Sequence, residues 1–209
     1  MRFSIIIPVF NAEDRINRAL NIIEMQNFKD YELITVCDSC VDNSAKICRE
    51  YTDKVYEVNY GNDGLARSYG LDMAAGEYVL FLDDDDWWLH DSVMESIDMY
   101  LKEKGEVDIL QFGFYWRGKG AMLAQKRDGT MWPNVWSKAW KRSFIGDTRF
   151  PNIYSVSDLH FTNAMLSKSP SINFLEKLFV YYNYLRPGSI SERQNRLEIY
   201  TDFASKVTE

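Results

Sequence analysis

Four short apolar runs, at residues 3–10, 31–37, 54–60 and 77–82, alternate with stretches whose apolar residues recur at helical spacing. That alternation constrains the fold more than any other feature. Strands separated by helices connect through crossovers, and a mainly parallel sheet with helices on its faces satisfies them. After the first run, Ile16, Ala19, Leu20 and Ile23 give a helix one apolar face. Asn11 is predicted to be its N-cap, with Asp14 as the capping-box partner. A second helix is predicted to start at Asp42 or Ser44 and pass through Cys48 and Tyr51. A third covers 64–75 and stops at Gly76. A chain of 209 residues can bury a substantial core, and one domain is expected. It divides into a repetitive half, 1–89, and a less regular half, 90–209.

In the second half, Val93, Met94, Ile97, Tyr100 and Leu101 mark a helix, with Lys102 and Lys104 in its last turn and Gly105 at C′. Residues 107–116 read as a strand, Gly118 and Gly120 as a turn, and the chain to Met131 as extended. Residues 134–144 and 157–166 are predicted to be helical and 172–185 mostly strand. A turn at Arg186-Pro187-Gly188-Ser189 then leads to a closing helix marked by Leu197, Tyr200, Ala204 and Val207. Trp136 and Trp140 stand at i and i+4, where they suit the core better than a sugar platform.

Several functional classes lose their warrant. A net charge of −7 argues against a general nucleic-acid binder. Neither G-x-G-x-x-G after the first strand nor G-x-x-x-x-G-K-[ST] is present, so dinucleotide-dehydrogenase and P-loop readings fall. Cys37 and Cys40 have C-x-x-C spacing, but there is no second such pair and only His90 and His160 could complete a zinc site. No apolar run reaches membrane-spanning length, and the 3–10 run holds Pro8 and leads directly into a helix, unlike a signal peptide. A cytoplasmic protein is expected, or one held at the inner face of the membrane through a partner.

The chemistry gathers at strand ends. Asp83-Asp84-Asp85-Asp86 follow the apolar run 78–82, and the carboxyl end of such a strand opens onto the ligand crevice. Like charges ~5 Å apart at an effective dielectric of ~20 repel by roughly 3 kcal/mol. An unpartnered cluster should therefore take up protons or splay, and a hard divalent cation is its natural partner. Alternation along an extended end would put Asp83 and Asp85 on one face. The alternative is a solvated acidic loop capping the next helix. Pro8, Phe10 and Asn11 follow the first strand and Asp38 the second. Together these three strand ends suit a nucleoside diphosphate, with a carboxylate for a pyrimidine N–H and a cation for the phosphates. Arg67 lies near a helix N-terminus, where the dipole disfavours cations, so it either snorkels to solvent or faces the acids or a phosphate. Asp158 at a predicted helix start is explained by the dipole alone.

The order of these motifs resembles a family 2 glycosyltransferase of the GT-A fold. Ser4 to Asn11 resembles that family's first strand and uridine-side loop. Val36 to Asp42 is similar to V-D-D-G-S-x-D, with Cys37 for the first acid and Ser39 for the glycine. Asn62 to Gly70 is similar to N-x-G-…-A-R-N-x-G, shortened and with Ser68 for Asn, and Gly76 to Trp87 to G-E-Y-…-F-L-D-x-D-D-W. Trp136 to Arg142 resembles W-N-K-x-x-K-R, Ser157-Asp158 a Glu-Asp pair, and Arg186 to Ser191 a closing R-P-G-S-I turn.

The resemblance implies an α/β, Rossmann-like sheet with an acceptor-binding second half. It also implies inverting transfer from a nucleoside-diphosphate sugar, a UDP-sugar foremost, to a saccharide or lipid-linked saccharide hydroxyl. It makes Asp85 the ligand of Mn²⁺ or Mg²⁺ and Asp158 the general base. Pro8, Phe10, Asn11, Asp38, Arg67, Asp83 and Asp84 fall on the donor side. A phosphohydrolase with Asp-x-Asp would carry it on the first strand, not the fourth. A non-catalytic nucleotide-sugar or Ca²⁺-binding module on the same fold is the remaining alternative.

Overall fold

The computed structural model describes residues 1–126, 128–153 and 156–183. Strands β1 (Phe3–Val9), β2 (Tyr31–Asp38), β3 (Val55–Val58) and β4 (Tyr78–Phe81) lie in the order β3-β2-β1-β4. Every pairing among them is parallel. Helices α1 (Ile16–Glu24), α2 (Ser44–Cys48) and α3 (Asp63–Met73) supply the crossovers. Parallel strands covered on both faces must be apolar throughout, and all seven residues of β1 are buried. Because β2 and β4 flank β1 on opposite sides, the winding reverses there. The crevice outside the carboxyl ends of β1 and β4 is the ligand position of such sheets.

The rest of the sheet is mixed. Here β5 (Trp87–Trp88) is followed by α4 (Val93–Lys104), β6 (Ile109–Trp116), β7 (Gly120–Met122), β8 (Lys138–Lys141), α5 (Arg142–Ile145), α6 (Ser157–Leu166) and β9 (Ile172–Tyr182). β8 lies antiparallel between β4 and β6; β9 runs parallel to β6, with β5 outside it. The α/β class with flanking helices is as expected, the parallel character being concentrated in the first half.

Four local expectations are corrected. Residues 134–144 are not one helix but a loop, β8 and the short α5. β8 fills the gap between β4 and β6, whose backbone groups would otherwise go unpaired, and that long-range demand outweighs helical spacing. Trp140 and Trp136 are buried as expected, though from a strand and a loop. Asn11 does not cap α1; it sits at φ 43° and accepts from the Val41 N–H at 2.9 Å, while α1 begins after Arg15. Asp14 instead ion-pairs with Arg15. α3 ends at Met73, before Gly76. A Cβ at Gly76 would stand 2.5 Å from the Ser4 backbone nitrogen, so this glycine allows the close approach of chains entering β1 and β4. Among the described residues of the stretch before Met131, only Gly120–Met122 pairs as strand. α4, by contrast, stops at Gly105 as expected, with φ 95°. The expected turn at 186–189, the closing helix at 197–207 and the last residues of the 172–185 strand lie outside the described residues.

Candidate active site

The acidic run does not continue β4. The Asp86 N–H donates to the Asp83 carbonyl at 3.2 Å, closing a turn in place of the expected extended strand end. A turn sends successive carboxylates in different directions, so the shared face expected for Asp83 and Asp85 is not formed by strand alternation. The run splays, three of its four carboxylates taking separate partners. Asp83 accepts from Arg67 Nη2 at 2.6 Å. Asp84 is gripped by Arg15, Nε to Oδ1 at 3.1 Å and Nη2 to Oδ2 at 3.0 Å, and also accepts the Phe10 N–H at 3.0 Å. Asp86 is buried; its Oδ1 accepts the Asn183 N–H at 2.8 Å and its Oδ2 has no hydrogen-bond partner among the described residues. Burial pushes the Asp83 carboxyl up to about 7, with Asp158 and Asp85 adding to the rise and Arg67 opposing it. Burial and the neighbouring Asp85 and Asp83 raise Asp86 well above the ordinary range. Asp84 is raised by burial against the pull of Arg15.

The loops after β1 and β2 face this turn. Pro8 pairs with Val36 one step before the end of the β1 ladder, and Phe10 beyond it is exposed. Asp38 ends β2 and anchors the loop leading to α3. Its Oδ1 accepts from the Tyr60 and Gly61 N–H groups at 2.6 and 2.9 Å, and its Oδ2 from Asn62 at 2.7 Å. Each carboxylate oxygen has two lone pairs, so Oδ2 retains one acceptor position. Asn62 then caps α3 by accepting the Leu65 N–H at 3.0 Å. α3 begins at Asp63, which puts Arg67 just past the first turn.

Arg67 neither snorkels nor reaches solvent. It is 4% exposed and holds three carboxylates: Asp63 at 2.6 Å, Asp83 at 2.6 Å and Asp158 at 3.4 Å. Those acids compensate its burial and the unfavourable dipole, and they hold its charge firmly. Asp158, second in α6, thereby joins the acidic turn; its Oδ2 accepts the Val135 N–H at 3.1 Å. Burial raises the Asp158 carboxyl, with Arg67 opposing. The helix start alone would have lowered it, so desolvation wins. Val156, immediately before α6, holds φ 56°, a strained conformation for a β-branched residue.

The site suits a hard cation in its donor chemistry. The side-chain polar groups of the acidic run are all oxygens, the donor type a hard cation prefers. Among the described residues no group of three or more His, Cys, Asp or Glu side chains is arranged to hold an ion. A hard cation such as Mg²⁺ is commonly held by one or two carboxylates plus substrate phosphates. Asp85, half-buried within the turn, is placed for such a role.

Arg15 and Asp63 were not singled out in the sequence, yet they organise the site. Arg15 offered the same signal as Arg67, a cation at a helix start. Its Nη1 and Nη2 also donate to the Asn11 and Phe10 carbonyls, at 2.7 and 2.9 Å.

Comparison with known proteins places this geometry. The sequence profile described as Glycosyl transferase family 2 matches residues 4–174. Glycosyltransferase GlyA of Streptococcus pneumoniae serotype 4 is 36% identical over 91% of this chain and 31% of its own length. The structure of Staphylococcus aureus TarS 1–349 in complex with UDP-GlcNAc superposes with a TM-score of 0.77 at 25% identity, covering 87% of this chain and 58% of that one. The mannosyltransferase PcManGT of Pyrobaculum calidifontis, in complex with GDP-Man and Mn²⁺, has the same fold, with a TM-score of 0.78 at 17% identity over 100% of this chain and 64% of its own. The chain thus spans about a third of the length of the pneumococcal relative. No helix among the described residues is long and apolar enough to cross a membrane.

Proposed function

Because the chain belongs to glycosyl transferase family 2, we propose that it transfers a sugar from a UDP-sugar to an acceptor hydroxyl with inversion at the anomeric carbon. The observation that carries this reading is Arg67, which ties Asp83 of the donor-side turn and Asp158 of α6 to one buried cation. The UDP-GlcNAc bound to the structurally similar TarS supports the choice of donor. Phe10 and the free lone pair of Asp38 Oδ2 meet the nucleoside, with Pro8 and Asn11 shaping the loop. Asp83, Asp84 and Arg67 frame the diphosphate. Asp85 would hold Mn²⁺ or Mg²⁺, which would supply Lewis-acid neutralisation of the diphosphate.

Asp158 takes the proton from the attacking hydroxyl. Desolvation raises its basicity, while Arg67 and the Val135 N–H favour its ionised form. A general base is worth roughly 10²–10⁴-fold. The second half of the chain would bind a saccharide or lipid-linked saccharide acceptor.

The test is UDP release from UDP-glucose, UDP-galactose and UDP-GlcNAc with Mn²⁺, beside UDP-binding titrations. Asp158→Asn is expected to lower transfer by roughly 10²–10⁴-fold, leaving residual turnover, and to keep UDP affinity intact. Asp85→Ala should abolish transfer and weaken Mn²⁺-dependent UDP binding; unchanged affinity in this variant removes the metal role. UDP binding without turnover of any donor overturns the enzymatic reading in favour of a non-catalytic binding module.

A further inference from the structure

The one fully buried lysine among the described residues lies on β8. Lys138 is 0% exposed, and no described carboxylate forms an ion pair with it. Burying an ammonium is costly unless its donors are satisfied. Here its Nζ donates to the Trp132 carbonyl at 2.6 Å and to the Asn134 carbonyl, and lies 3.4 Å from Asn134 Oδ1. A group with three protons thus faces three oxygens of one loop. From the other side, Thr162 Oγ1 of α6 donates to the Pro133 carbonyl at 2.8 Å. Three successive carbonyls, 132 to 134, are therefore each held by a side chain. The next backbone N–H, that of Val135, is the one that donates to Asp158 Oδ2. The Val135 carbonyl is fixed in turn by Trp140 Nε1 at 3.0 Å.

We propose that Lys138 is a positioning residue for Asp158, acting through loop 132–135 to aim the Val135 N–H at the carboxylate. The inference rests on the reading of Asp158 as base. An N–H on Oδ2 fixes the carboxylate's rotation beside Arg67, so that the proton-accepting oxygen keeps one orientation. A rigid loop does this better than solvent, because a general base must lie within hydrogen-bond reach of the proton it removes. Burial pushes the Lys138 ammonium well below the ordinary lysine range while Asp158 opposes that, and in its charged form Lys138 favours the ionised carboxylate.

The experiment places Lys138→Met in both the natural and the Asp158→Asn backgrounds. Donor turnover is read as UDP release, using whichever of the three UDP-sugars above is turned over, with UDP affinity measured in parallel. In the natural background the expected result is a kcat lower by about 10–100-fold, within the range attributed to general-base catalysis. UDP affinity and donor KM should be unchanged, and the acid limb of the kcat–pH profile should move to higher pH. In the Asp158→Asn background, Lys138→Met should cost nothing further, because residues acting as a unit are non-additive. An equal loss in both backgrounds, or a parallel loss of UDP affinity, overturns the proposal in favour of a general packing role. Full turnover in Asp158→Asn alone brings down the base assignment itself, which separates the two failures. Should Lys138→Met not fold, Thr162→Val removes the α6 anchor of the same loop. It is expected to lower kcat several-fold with UDP affinity intact, and an unchanged kcat overturns the proposal.

Discussion

Arg67 and Asp158 stand 3.4 Å apart although they belong to opposite halves of the chain. The same guanidinium binds Asp83 and Asp63, each at 2.6 Å. Donor-side acid and candidate base therefore answer to one cation, buried where its loss cannot be made good by water. Removing one partner of a buried ionic cluster costs about 3–5 kcal/mol. Arg67→Met should lose about that much in a urea titration and abolish donor turnover. A loss below about 1 kcal/mol, the range of exposed ion pairs, would show that the three acids do not depend on it.

Arg15 joins the two ends of the candidate donor site. It clamps Asp84 with two hydrogen bonds and the Phe10 and Asn11 carbonyls with two more. Arg15→Met and Asp84→Asn should each weaken UDP binding. The double variant should fall short of the sum of the single losses, with a coupling of about 0.5–3 kcal/mol, as for residues in one network. Additive losses in UDP titrations count against a shared role.

Divalent ion and nucleotide should depend on one another. With Asp85 and the diphosphate proposed to share the ion, Mn²⁺ alone is expected to raise Tm little. UDP with Mn²⁺ should raise it more than the two separate effects combined, since a bound ligand stabilises the folded state by mass action. Thermal-shift curves over Mn²⁺ and UDP concentrations measure this. A large rise with Mn²⁺ alone would mean a preformed cage.

Glu32 should account for part of the acid sensitivity of the fold. Burial pushes its carboxyl up, but hydrogen bonds from Lys54, Ser4 and the Ala75 N–H outweigh that and hold it below the usual range. With the folded pKa depressed, its contribution is present above the unfolded value and is lost as pH falls through the folded one. Glu32→Gln should therefore cost stability at pH 7, about 1.5–3 kcal/mol for hydrogen bonds to a charged group. The deficit should shrink as pH is lowered from about 5 toward 3. A deficit independent of pH would assign the effect to packing.

Some features of this molecule were legible residue by residue. Apolar runs and helical spacing are local patterns, so the four parallel strands and their crossovers could be placed in advance. The polar residues at their carboxyl ends followed, and with them the crevice holding Phe10, Asp38 and the acidic turn. The likeness of 134–144 to a helix was equally local, and it failed because β4 and β6 offered backbone partners that spacing along the chain does not register.

The sequence by itself therefore determined the alternating half of the sheet and the end at which chemistry would gather. Tertiary structure alone decided which cation each carboxylate faces. Asp84 turns to Arg15, Asp83 and Asp158 to Arg67, and Lys138 to the loop beside Asp158. The physical reason is desolvation. Once these groups leave water, each charge must find a partner in space, and for Asp84 and Asp158 that partner lies far away along the chain.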